Sequence, residues 1–204
     1  STIDINGRRK PDWSIAGEAR IESYAWAKPG DPPRPVAGAR LLYNDARLFV
    51  LFEVHSASVL ARYNTYNAPV CRDSCVEFFV APFGQDYFNF EINCCGAMLL
   101  HYGPDRHSRS VVGPADAAQV QVATSLPQAV LIPEPAAAPA DGWLVEYSIP
   151  TALFSKYSGC PQPTPGTEWK ANFYHCADDL PPVPQWGSWS PVLTDKPDFH
   201  RPEY

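Results

Sequence analysis

Glu77 sits inside the apolar run CVEFFVA, and Asn89, Glu91 and Asn93 alternate with Phe88, Phe90 and Ile92 in YFNFEINC. Trp186 and Trp189 stand together in PPVPQWGSWSP, a Pro- and Gly-rich segment whose backbone can hold rings away from a core. Sugars offer flat C–H faces that stack on Trp and Tyr. Their hydroxyls pair with the planar polar groups of Asn, Asp, Glu, Gln and Arg. Carboxylates and amides beside an aromatic pair therefore suit carbohydrate recognition. Each feature also has a plainer reading. A Trp in a β protein is commonly core, and a polar row on a strand is commonly a solvated face.

Other chemistries leave little trace. There is no Gly-x-Ser-x-Gly elbow, no His-Glu-x-x-His and no Gly-rich phosphate loop. Glycoside hydrolysis needs two carboxylates at a fixed separation, and Glu77 with Glu91 would supply them if their strands are adjacent. A glycosidase or lyase is thus the catalytic alternative. A haem-binding sandwich is a further one, but Met98 and His101 on one strand point to opposite faces and cannot share an iron. Cys71, Cys75, Cys94, Cys95, Cys160 and Cys176 fit no zinc-ligand spacing. They are expected to be mostly reduced and buried, with Cys75 able to approach Cys94 or Cys95 if their strands are antiparallel neighbours.

The elements that position these groups read as short strands. Arg40–Tyr43 and Leu48–His55 form an expected hairpin around Asn44-Asp45. Further strands are expected at Cys75–Ala81, Tyr87–Cys94, Ala97–Tyr102, Gln119–Thr124, Trp143–Ile149 and Trp169–Tyr174. Period-two alternation puts Asn89, Glu91 and Asn93 on one face, and Glu77 on the face opposite Val76 and Phe78. If the two strands are neighbours, both sets share one concave face. Trp13, Trp143 and Trp169 read as packing. Fourteen of the 23 prolines cluster at Pro29–Pro35, Pro127–Pro139, Pro161–Pro165 and Pro181–Pro184, which are expected surface loops.

The chain has 204 residues, 45% hydrophobic and 19% charged, enough for one large β domain with its own core. The expectation is all-β: a single domain over 1–204 folded as a two-sheet antiparallel β-sandwich, jelly-roll-like, with long Pro-rich loops. The net charge of −6 argues against nucleic acid as a partner. No apolar run reaches the roughly 20 residues a spanning helix needs, so no membrane insertion is expected.

Four blocks run in order along the chain: RDSCVEFFVAP (Arg72–Pro82), YFNFEINCCG (Tyr87–Gly96), NFYHCADDLP (Asn172–Pro181) and SWSPVLTDKPDFHRPEY (Ser188–Tyr204). Together they resemble the carbohydrate-binding family 9-like domains of bacterial polysaccharide-degrading systems, from about Ile15 to the end. The resemblance implies a non-catalytic module that binds a plant or bacterial polysaccharide or its chain end. It implies a secreted, periplasmic or cell-surface location, and a fused or associated glycan-degrading enzyme as partner. Xylanase-linked members clamp a terminal sugar between two Trp rings. Trp189 in Ser188-Trp189-Ser190 matches one of them, whereas Val70-Cys71 occupies the place of the other. Glu77 matches the carboxylate of their "DSVE" motif, and Asn93 and Asn172 match amides in later strands. Glu91 stands where they carry Arg. Tyr63, Tyr66 and Trp186 are the aromatics available to replace the lost ring. Those modules also carry structural calcium. This chain has no contiguous calcium loop, so no cofactor and no metal residue is assigned, structural calcium being left open. The resulting expectation is a ligand site of Trp189, Trp186, Glu77, Glu91, Asn93 and Asn172, with Trp189 lining an exposed concave surface.

Overall fold

The computed structural model describes residues 3–201; residues 202–204, the end of the last resemblance block, lie outside that range. Among the described residues, thirteen strands are joined by turns and longer loops. In chain order they are β1 (Glu18–Ile21), β2 (Val36–Tyr43), β3 (Arg47–His55), β4 (Ser58–Ala61), β5 (Cys75–Ala81), β6 (Tyr87–Asn93) and β7 (Met98–Gly103). Then follow β8 (Ser110–Val111), β9 (Gln121–Thr124), β10 (Ile132–Ala137), β11 (Trp143–Pro150), β12 (Lys170–Ala177) and β13 (Gln185–Ser188). Two short α-helices, α1 (Pro114–Ala117) and α2 (Thr151–Ser158), and two 3-10 turns, Pro11–Ile15 and Val70–Arg72, complete the set. Gly159 closes α2 at φ 70°, a left-handed position that spares any Cβ.

The strands form a five-stranded sheet, β1-β2-β3-β11-β9, and a six-stranded sheet, β13-β12-β5-β6-β7-β8. All pairings are antiparallel. The expected hairpin is β2–β3, with Tyr43 opposite Leu48 across the turn. A separate ribbon joins β4 to β10. Pro133 and Pro135 lie inside β10, in a segment expected to be loop. The strand is an edge, and the register with β4 shifts between Ile132 and Ala136. An edge strand with a bulge is where a sheet tolerates residues that lack an N–H.

The core fills the space between the two sheets. Phe52, Val54, Val145 and Tyr147 from one sheet meet Phe78, Val80, Phe88, Phe90 and Phe173 from the other, all buried. Phe78 stacks on Phe173 at 5.1 Å between ring centroids. Trp143 is buried in this core and Trp169 packs against it, whereas Trp13 belongs to a second cluster under the five-stranded sheet. There Glu146, fully buried on β11, holds the N-terminal segment. It accepts hydrogen bonds from Trp13 Nε1 (2.9 Å), Asn6 N (2.9 Å) and Gly7 N (3.1 Å), and pairs with Lys10.

Burial of every core position on β5 and β6 from one side leaves the alternate residues facing the other side of the six-stranded sheet. That outer face has its own cluster, including Phe79, Tyr87, Leu99 and Tyr174. The candidate site is built there.

Candidate functional site

Register fixes the centre of the outer face. Tyr174 on β12 pairs with Glu77 on β5, Glu77 pairs with Glu91 on β6, and Glu91 pairs with Leu99 on β7. The next rung runs Trp186, Cys176, Cys75 and Asn93. Residues opposite one another in a ladder point the same way, so the two carboxylates of the apolar runs lie side by side. They form the floor of a cavity of about 190 Å³. Cys176, one rung away, shares that floor; Cys71, Asp178 and Trp186 also line the cavity, as do Arg106 and Arg109 from the loop after β7. The C-terminal stretch Pro197–His200 crosses the face and supplies a further wall.

Both carboxylates are buried, at 3% exposure each. Glu91 accepts a hydrogen bond from Asn89 Nδ2 at 2.7 Å and lies 3.5 Å from the guanidinium of Arg109. Glu77 accepts one from the Cys176 thiol at 2.8 Å. Burial pushes the Glu77 carboxyl well up, and the neighbouring charge of Glu91 adds to the rise. Burial raises Glu91 as well, with Arg109 opposing the shift. The site thus holds two carboxyl groups on one floor and an Arg that attends chiefly to one of them.

Aromatic side chains frame the floor. Trp186 meets Trp26 edge-on at 6.4 Å, and its Nε1 donates to Asp178 at 2.7 Å. Phe199 stacks on Tyr174 at 4.2 Å and contacts Trp26 at 5.7 Å. His200 lies over Phe79 and shares a 2.9 Å hydrogen bond with the Tyr87 hydroxyl. Burial and the nearby Arg109 hold the His200 imidazole neutral by depressing its pKa.

The expected site residues divide. Glu77, Glu91 and Trp186 converge on the cavity. Trp189 does not line it. Its ring, 46% exposed, rests 5.6 Å from Phe173, a residue of the inter-sheet core. Trp189 follows β13 three residues after Trp186, and an odd step along extended chain reverses the face. Asn93 and Asn172 are buried and spent on the fold. Asn93 donates to the Tyr63 carbonyl and to Asp73, both at 2.8 Å, and its Oδ1 caps the turn at Cys95 and Ala97. Asn172 ties the segment after β13 through the backbone of Ser190. Tyr66 gives its hydroxyl to the Val112 carbonyl at 2.6 Å and packs against the inter-sheet core, and Tyr63 packs under the outer face without lining the cavity.

Sequence reasoning missed Arg106, Arg109, Asp178, Phe199 and His200. The first pair lies in the loop segment PDRHSR, and the last pair in DFHR. The clustering of charge and aromatics in segments without periodicity was the signal available. The cysteines also rearrange the expectation. All six are free thiols, five of them buried. Cys75 faces Cys176 across the β5–β12 ladder instead of approaching Cys94 or Cys95. Met98 packs in the inter-sheet core, while His101 contacts Asn67 at 2.6 Å.

The model of carbohydrate-binding family 9 matches residues 14–204. A candidate carbohydrate-binding protein of known structure from Bacteroides uniformis is 30% identical, with a TM-score of 0.82 over 94% of this chain and 85% of that one. A family 9 carbohydrate-binding module from Caldicellulosiruptor kristjanssonii, solved with cellotriose, has a TM-score of 0.61 at 16% identity, over 93% of this chain and 80% of that one. The same module with glucose gives the same score and identity, over 93% and 82%. These two share the fold. No curated protein sequence matches the chain.

Proposed function

The chain belongs to carbohydrate-binding family 9, and from that premise we propose that it binds a terminal saccharide residue in the cavity above Glu77 and Glu91, without catalysis. The observation that carries this reading is the joint placement of the Glu77 and Glu91 carboxyls, an indole and two guanidinium groups around one cavity. Its volume of about 190 Å³ suits a single sugar residue at a chain end better than a continuous polymer. Carboxyl and guanidinium groups supply the fixed acceptors and donors that vicinal hydroxyls require. The indole supplies the apolar surface for a ring face. The Caldicellulosiruptor module was solved with glucose and with cellotriose, which supports a saccharide of this class as the ligand here.

Non-catalytic binding fits the position of the carboxylates. Both project from one face of adjacent strands beneath the ligand space, whereas glycosidase carboxyls flank a scissile bond from two sides. A module of this kind, secreted or held at a cell surface, keeps an associated glycan-degrading enzyme near its polymer through linked binding. A glycan array probed with the purified domain tests the reading, followed by calorimetry on hits and assay for new reducing ends. Retention of saccharides through their termini, with no product released, is expected. Turnover of any bound glycan, or the absence of every saccharide interaction, would reject it.

A further inference from the structure

The floor of the cavity carries a second constellation. Cys75 and Cys176 oppose each other on β5 and β12, and Glu77 follows Cys75 by two residues on the same face. One donor atom from each lies within 4.8 Å of the other two, and all three residues are buried. The carboxylate and the Cys176 sulfur are already 2.8 Å apart. A tetrahedral zinc with bonds of about 2.3 Å to sulfur and about 2.0 Å to oxygen needs its donors roughly 3.3–3.8 Å from one another. Small side-chain adjustments bring the three atoms to that spacing.

We infer that Cys75, Cys176 and Glu77 form a site for one thiophilic divalent cation, of the zinc or cadmium class, opening into the cavity. Two sulfurs and one carboxylate select soft and borderline metals, and disfavour calcium and magnesium, which want all-oxygen shells. The electrostatics favour a cation. Among the described residues, Glu77 makes no ion pair, and the nearby Arg109 is engaged by Glu91 and by His200. A buried carboxylate without a counter-charge is costly, and a bound cation would remove that cost. There is an entry path, since Glu77 and Cys176 both line the cavity. The fourth coordination position faces the same space, where Cys71 stands half-buried on the wall. Binding exchanges two thiol protons, and the proton on the Glu77 carboxyl where it is held, for the metal, so affinity must fall as the solution is acidified. No local spacing reveals this set, because its cysteines are a hundred residues apart in sequence and meet only through strand pairing.

The inference does not rest on saccharide binding, and its test contains none. Wild-type protein, kept reduced with a non-thiol reductant, is titrated with cadmium and with cobalt. The expected result is one equivalent bound, with thiolate-to-metal charge-transfer absorption, and no response to calcium. Cadmium should also slow alkylation of Cys176, which lines the cavity, in the folded protein, as mapped by mass spectrometry. Cys176→Ser and Glu77→Gln should weaken cadmium binding, the former by about 100-fold or more. The shielding measurement needs no variant, so misfolding of either substitution leaves the test intact. Absence of charge-transfer absorption in the wild type would overturn the inference. So would shielding confined to Cys94 and Cys95, or an undiminished signal in folded Cys176→Ser. Glycan retention measured separately with a chelator present reports on the saccharide reading alone.

Discussion

Replacing Trp186 with alanine removes the indole wall of the cavity while leaving the carboxylate floor in place. A Trp side chain carries roughly 200 Å² of surface, and a sugar resting on one ring face covers about a third of it. At about 25 cal/mol per Å², the lost burial amounts to about 1.7 kcal/mol, a weakening of roughly 15- to 20-fold. Trp189→Ala is the matched control. That ring rests against Phe173 on the core side, so its loss should change affinity by less than about twofold and cost stability of about 1 kcal/mol. Trp186→Phe should fall between wild type and alanine. Affinity electrophoresis against a glycan identified on the array ranks the variants, and calorimetry gives the ratio. Thermal unfolding of each variant separates lost binding from lost fold. If Trp189→Ala abolished retention while Trp186→Ala bound normally, the assignment of ligand to this cavity would be wrong.

Two further outcomes follow from the buried charges. Folding raises the Glu77 carboxyl above its ordinary value of 4.5, so the folded state holds its proton more tightly than the unfolded chain. That group's contribution to stability is therefore greatest below pH 4.5 and declines as pH rises from there through the folded-state value. Glu77→Gln removes the decline, and the melting temperature of the variant relative to wild type should climb between pH 5 and pH 8; a constant difference would contradict the burial argument. Glu146→Ala strands Trp13 Nε1 and two backbone N–H groups, at a cost of about 3 kcal/mol, or roughly 6–12 °C in melting temperature. Because it acts on the far sheet, calorimetry should show ligand affinity unchanged.

Alternation made much of this legible. Phe88, Phe90 and Ile92 against Asn89, Glu91 and Asn93 defined the two faces of β6, and Glu77 declared its face on β5 in the same way. The register that sets Glu77 beside Glu91 also depends on the turn between β5 and β6, which alternation does not specify. Alternation fails where strands are short or absent. Trp186 and Trp189 looked equivalent because the segment around them is punctuated by Pro and Gly, and only the parity of β13 separates them. Asn93 and Asn172 show a different limit. An amide suited to a sugar hydroxyl is equally suited to a turn or a neighbouring carbonyl, and the backbone claimed both. Arg106, Arg109, Phe199 and His200 lie in loops, where position is set by tertiary contacts that leave no period in the chain. The prolines of β10 concealed an edge strand for the complementary reason, since a residue without an N–H is costly only where a partner would have used it.

The position of β12 between β13 and β5 bears on how the molecule comes into being. Strand β5, with the run CVEFFVA, has β6 on one side, but its other neighbour is formed by residues about ninety positions further on. A ribosome making five to twenty residues each second takes several seconds or more to deliver that partner. Throughout that interval β5 is a bare edge, rich in β-branched and aromatic residues, of the kind that joins to other chains. Glu77 in the middle of that edge is then still in water and charged, and a charge within an apolar strand opposes intermolecular pairing. The residue that forms the cavity floor in the finished protein is thus also a charge of the kind that discourages such pairing while β12 is still to be made.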